Sequence, residues 1–272
     1  MDKGNTMITL DELMNEVKTY IQDPDSLALI EKAYRYAQGH HQVQFRRSGE
    51  PYMIHAAQVG YILATMKVGP RTICAGLLHD VLEDCGVSAE QMSADFDEEI
   101  TMLVEGVTKI GNLKFKDEKE YQAANHRKIF IAMANDIRVI VIKLVDRLHN
   151  MRTLQYMPPE KQQKIAAETL QVYAPIAHRL GISEIKNELE DLSFYYLDRE
   201  KYYEIAHLVE EKKAMRSSPG LTVAMSVAGI LVIGIPIIGP GQRPCNQDHE
   251  KYLERLRLDP LGVERRLQHE IH

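Results

Sequence analysis

The chain has 272 residues, of which 44% are hydrophobic and 26% charged, the balance of a water-soluble globular protein. Its net charge of −6 argues against a nucleic-acid coat or a polybasic membrane binder as the main role, so no nucleic-acid partner is expected. Cys74, Cys85 and Cys245 are odd in number and lack CxxC spacing, which excludes a disulfide framework and a zinc knuckle.

Met1 to Asn15 is acidic and has no apolar core of signal-peptide length, so the cytoplasm is the expected compartment. Asp23-Pro24 supplies an N-cap and a first-turn proline for a helix from Asp25 to about Gln44. Gly69-Pro70 opens a helix predicted to carry His79, Asp80, Glu83 and Asp84, with Gly86 where it should stop. Ser88 and Gln91 read as a capping box for the next helix. The β-branched run Ile137 to Leu144 would suit a buried strand, but Asp146, Asn150 and Thr153 continue it at helical spacing, and the segment is read as helix. Pro158-Pro159 separates a segment ending near Met157 from a long helix running toward Arg179. Gly181 then breaks the chain before Ser183, the expected cap of the following helix. The fold class is all-α, with a multi-helix bundle over residues 1–216 and no internal repeat.

The character changes beyond Arg216. Residues 217–242 hold no charged side chain, and 221–238 is almost wholly apolar, at the lower bound of a membrane-spanning length. Gly229, Gly234 and Pro236 make a poor helix in water and a tolerable one in lipid. Residues 217–272 therefore form a tail without a recognisable domain, either membrane-tethered through 221–238 or a degraded terminus.

Three clusters carry chemistry. His79-Asp80 with Glu83 and Asp84 lies in an apolar run, where buried imidazoles and carboxylates need a cation, a proton or a hydrogen bond to offset lost hydration. In a continuous helix, residues 79 and 83 are four apart, as are 80 and 84, so all four would face one sector. Arg46-Arg47-Ser48 lies just ahead of an expected helix start, where forked guanidinium donors and unpaired amides make a phosphate cradle; the bland alternative is a solvated turn. His55 follows on an apolar helical face, where a lone histidine is more often a satisfied core residue than a ligand. The third cluster places Asp146, Asn150 and Thr153 on one helical face, which alone would pass for a mixed-charge surface. Together His55, His79, Asp80 and Asp146 offer two imidazoles and two carboxylates, a set that suits octahedral Mn²⁺, Fe²⁺ or a similar ion better than structural zinc. Glu83 and Asp84 would then handle water and protons, while Arg46, Arg47, Ser48, Asn150 and Thr153 hold a phosphorylated nucleotide.

The spacing His55…His79-Asp80…Asp146 resembles the HD superfamily of metal-dependent phosphohydrolases. The strings RRSGEPYMIHAAQV, GLLHDVLEDCGVS, EGVTKIGNL, NHRKIFIAMANDIRVIVIKLVDRLHNMRTL, YAPIAHRLGIS and KNELEDLSFYYL resemble the hydrolase domain of RelA/SpoT homologues over residues 8–213. The resemblance implies Mn²⁺-dependent hydrolysis of the alarmone ppGpp or pppGpp to GDP or GTP and pyrophosphate. By the same resemblance His55, His79, Asp80 and Asp146 are metal ligands. Glu83 and Asp84 activate water and transfer the proton. Arg46, Arg47, Ser48, Asn150 and Thr153 contact the guanine nucleotide, with Arg47 where lysine is frequent. Nothing after Ser217 resembles a synthetase, so a hydrolase-only chain, natural or truncated, is expected. The alternatives left open are an HD phosphohydrolase acting on another nucleotide and a non-catalytic alarmone-sensing module.

Overall fold

Thr9 closes the first helix with a reciprocal cap: its hydroxyl accepts from the Glu12 amide, and the Glu12 carboxylate accepts from the Thr9 amide. That helix, α1 (Leu10–Val17), is the first in a computed structural model that describes residues 6–111 and 136–217. α2 (Pro24–His40) starts at the Asp23 cap, as the sequence predicts, but ends at His40 rather than Gln44. The chain then turns back on itself through an antiparallel bridge between Phe45 and Pro51, the one strand-like pairing among the described residues. Gly49, with φ at 85°, permits that reversal.

α3 (Met53–Thr65) is the axis of the bundle: eleven of its thirteen residues are buried, His55 and Gln58 among them. A helix apolar all round belongs in the interior. It packs on α4 (Pro70–Leu78) and on α8 (Ile137–Arg152), while α4 also packs on α2 and on α7 (Glu98–Gly111). Small residues set the α3–α4 approach. A Cβ on Gly60 would come within 2.5 Å of Leu77, and one on Gly76 would overlap the Leu63 side chain. Leu63, Leu77 and Leu78 are fully buried at this crossing, each contributing about 1.5–3 kcal/mol of transfer free energy.

The predicted continuous helix through His79 and Asp84 is corrected by the structure. α4 ends at Leu78, His79 and Asp80 form a turn, and α5 (Val81–Asp84) is a separate single turn. His79 Nδ1 lies 2.8 Å from the Gly76 carbonyl oxygen and takes that acceptor for the side chain. Such local side-chain bonds compete with the backbone ladder and end helices.

The Ser88–Gln91 capping box forms and starts α6 (Ala89–Asp95). Ile137–Leu144 is helical as expected, being the first half of α8, and a 3₁₀ turn at Leu154–Tyr156 follows it. The long helix after Pro158 is interrupted: α9 (Pro159–Glu168) passes through a π turn at Thr169–Tyr173 into α10 (Ala174–Arg179). Pro175, without an amide hydrogen, removes one rung of the regular ladder, and the widened turn absorbs the loss. Gly181 adopts φ of 73°, and α11 (Ser183–Leu197) begins at Ser183 itself.

The first structural unit ends at Leu197, and a second begins at Asp198. The described part of the latter is α12 (Arg199–Ser217), opened by the Asp198 carboxylate accepting from the Lys201 amide at 3.2 Å. No helix among the described residues is long and apolar enough to cross a membrane, and the apolar stretch 221–238 lies outside the described residues.

Candidate active site

Two helices and a turn bring the predicted metal-ligating side chains together. His55 sits in the first turn of α3, His79 and Asp80 in the turn after α4, and Asp146 midway along α8. His55 Nε2 stands 3.1 Å from His79 Nε2, 3.6 Å from Asp80 Oδ2 and 3.4 Å from Asp146 Oδ1. His79 Nε2 is 2.9 Å from Asp80 Oδ2 and 3.9 Å from Asp146 Oδ1. Ligand atoms about 2.1 Å from a shared ion stand roughly 3 Å apart when adjacent and roughly 4 Å apart when opposite. His55, His79 and Asp80 have donor atoms close enough together to hold one divalent cation, and Asp146 Oδ1 stands 3.4 and 3.9 Å from the two imidazoles.

The electrostatics agree. Burial alone would raise the Asp80 and Asp146 carboxyls. His79 beside Asp80, and Lys143 beside Asp146, instead hold both well below the usual carboxylate range. Burial pushes the His55 imidazole down and keeps it neutral. For His79 burial also acts downward, but the adjoining Asp80 carboxylate lifts it to about 9. Two ionised carboxylates at one centre attract positive charge, which a divalent ion would supply.

The candidate ligands are held from behind. The Gly76 carbonyl accepts from His79 Nδ1–H, which turns Nε2 toward the centre. Tyr52 donates its hydroxyl to Asp80 Oδ2 at 2.5 Å. Lys143 Nζ donates to Asp146 Oδ2 at 2.8 Å, and Asn150 Nδ2 donates to Asp146 Oδ1 at 2.6 Å. The sequence reading assigns no role to Tyr52 or Lys143. The available signal for Lys143 is its place one helical turn before Asp146.

Glu83 and Asp84 lie on α5, close enough to Asp80 that its charge, after burial, raises both carboxyls. Both are exposed, whereas His55, His79 and Asp146 are buried and Asp80 is half-buried. They do not share a continuous helix with His79 and Asp80, yet the turn still brings them to the same side.

The predicted nucleotide-contacting residues line one cavity of about 470 Å³, which Asp146 also borders. Arg46, Arg47 and Ser48 come from the loop before α3, Asn150 and Thr153 from the end of α8. Arg46 is anchored internally: its guanidinium donates to Asn150 Oδ1 at 2.7 Å and to Thr153 Oγ1 at 3.1 Å. Ser48 Oγ donates to Glu50 Oε2 at 3.1 Å. Phe45, Leu154, Tyr156, Met157 and Ile165 form the apolar part of the wall, which the sequence reading missed because these residues come from separate segments. Arg147 also lines the cavity but pairs with Glu168 at 3.1 Å and lies over the Tyr173 ring. Lys143 is likewise matched by Asp146, which leaves the two loop arginines as the cationic surface offered to a ligand.

A family model described as HD domain matches residues 33–183, more than half of the chain. A Synechocystis protein named probable guanosine-3′,5′-bis(diphosphate) 3′-pyrophosphohydrolase is 52% identical over 70% of this chain and 25% of its own length. The Escherichia coli protein named bifunctional (p)ppGpp synthase/hydrolase SpoT is 44% identical over 85% of this chain and 33% of its own length. The chain thus spans about a quarter to a third of these curated relatives. A solved structure titled as a metazoan ortholog of SpoT that hydrolyzes ppGpp matches at 25% identity with a TM-score of 0.43, covering 64% of this chain and 88% of that one. The buried His-Asp centre and the match over residues 33–183 place the chain in the HD-domain family.

Proposed function

We propose that the chain is an Mn²⁺-dependent (p)ppGpp 3′-pyrophosphohydrolase, with His55, His79, Asp80 and Asp146 as the metal ligands. The observation that carries this reading is the convergence of four side chains from three segments, each imidazole Nε2 lying 2.9 to 3.9 Å from the other and from the Asp80 and Asp146 carboxylates, beside a cavity bearing Arg46 and Arg47. Relatives named for the same reaction support the substrate. In the balanced reaction, the oxygen of water forms a new bond to the phosphorus attached to the ribose 3′ oxygen. That ester bond breaks, pyrophosphate leaves, and the proton ends on the 3′ oxygen.

A bound divalent ion would supply Lewis-acid polarisation of a phosphoryl oxygen and lower the pKa of water. The remaining work falls to the chain. Arg46, Arg47 and Ser48 offer forked and hydroxyl donors to the polyanion, and Asn150 and Thr153 shape the same wall. Glu83 and Asp84, with carboxyls raised by burial and by Asp80, are suited to accept a proton from water and return it to the leaving oxygen. The apolar wall of Phe45, Leu154 and Met157 is suited to a base.

Chromatography of guanine-nucleotide products, with and without Mn²⁺, tests the reading. GDP and pyrophosphate formed from ppGpp only with the metal are expected. Cleavage of dNTPs without cleavage of ppGpp would instead favour a different HD phosphohydrolase, and binding of ppGpp without turnover a sensing module.

A further inference from the structure

We infer that His149 is a positioning residue for His55: it fixes the imidazole so that Nε2 presents its lone pair to the metal centre. The inference rests on the metal-site reading above and concerns a side chain to which that reading assigns nothing.

His149 is fully buried on α8, one turn after Asp146 and next to Asn150. Its Nδ1 lies 2.8 Å from His55 Nδ1, with ring centroids 4.8 Å apart. Two ring nitrogens at that distance are satisfied when one donates and the other accepts. Arg46 decides the direction. Its Nη1 lies 3.4 Å from the same His149 Nδ1, and a guanidinium can only donate. His149 Nδ1 therefore bears the lone pair, shared between the long Arg46 contact and the shorter bond from His55 Nδ1–H, and His55 Nε2 is left unprotonated toward His79, Asp80 and Asp146. The opposite arrangement would place a hydrogen on His55 Nε2 and block coordination.

The same guanidinium orients a second chain. Arg46 Nη2 donates to Asn150 Oδ1, so the amide must turn its Nδ2 to Asp146 Oδ1. One obligate donor, anchored in the loop ahead of α3, thus sets the hydrogen-bond direction behind two metal ligands.

The test is Mn²⁺ titration of the full chain without nucleotide, read by electron paramagnetic resonance. His149→Leu should weaken Mn²⁺ binding by about 10–100-fold while thermal melting shows a folded protein. His149→Asn, whose Oδ1 occupies the place of Nδ1 and can accept, should restore affinity to within about threefold of the parent. A folded Leu variant with unchanged affinity, or an Asn variant as weak as the Leu variant, overturns the inference. Should the Leu variant not fold, long-range ¹H–¹⁵N spectra of the parent chain with Zn²⁺ decide: His149 protonated at Nε2 is expected, and His149 protonated at Nδ1 overturns it. A parent chain that binds no Mn²⁺ refutes the proposed function itself, whereas equal binding by parent and Leu variant refutes only the role of His149.

Discussion

Tyr52 places its hydroxyl 2.5 Å from Asp80 Oδ2, the same carboxylate oxygen that lies 2.9 Å from His79 Nε2. Burial, followed by the Asp80 charge, pushes the phenol far above its ordinary pKa, so it remains a donor across the working pH range. Tyr52→Phe removes that donor and leaves the ring in place against His41 and His55. The expected outcome is a folded protein with Mn²⁺ affinity reduced about tenfold, measured by calorimetry. Affinity equal to the parent would mean that Asp80 is held by its turn alone.

Asp80→Ala should abolish metal retention and hydrolysis while the helices persist. The residue lies in a turn, not in the apolar core, and in the metal-free state its charge sits near the like charge of Asp146. Circular dichroism with metal analysis after gel filtration checks both halves. A variant that keeps stoichiometric metal would remove Asp80 from the ligand set.

Glu83→Gln is expected to retain metal and lose about 10²–10⁴-fold in kcat, the usual scale for a general acid–base group. The sign of the pH effect follows from the raised Glu83 carboxyl. As the proton acceptor it must be ionised, so activity should fall as pH drops through a value above the ordinary glutamate range. A pH–rate profile measures this, and full turnover by Glu83→Gln would end its assigned role.

Gly76→Ala tests the packing that carries the ligands. The added methyl meets the buried Leu63 side chain at the α3–α4 crossing, and overpacking of this kind costs about 1–3 kcal/mol. Because His55 rides on α3 and His79 follows α4, the variant should lose metal affinity along with melting temperature. A lowered melting temperature with unchanged Mn²⁺ binding would show that the crossing can shift without moving the ligands.

Asp97 caps α7: its carboxylate accepts from the Ile100 amide at 2.7 Å and from Arg71 Nε at 2.8 Å. Burial is the largest single influence and acts upward, but the Ile100 amide and the Arg71 guanidinium together outweigh it and hold the carboxyl below its ordinary value. The native state therefore binds fewer protons than the unfolded chain there. The contribution is present above the ordinary aspartate range and lost as pH falls through the lowered value. Asp97→Ala should cost about 1 kcal/mol at neutral pH, and the difference from the parent should shrink in acid, as read from urea melts.

Much of the site is local in the chain and so legible from residue order. Asp23 and Ser88 cap helices through contacts within three residues, and the choice between strand and helix for Ile137–Leu144 is settled by the spacing of Asp146, Asn150 and Thr153. The residue types at 55, 79, 80 and 146 limit the bound species to a cation that accepts nitrogen and oxygen ligands. Tertiary structure decided the rest. The break at His79 depends on its ring taking the Gly76 carbonyl, a local event that a helical periodicity does not reveal. Tyr52 and His149 acquire their roles only where α3, the turn after α4 and α8 meet, because a hydrogen bond across 28 or 94 residues leaves no periodic trace in sequence. The cavity wall is assembled the same way, from Phe45 to Ile165, by the packing of helices that the chain order alone leaves unpaired.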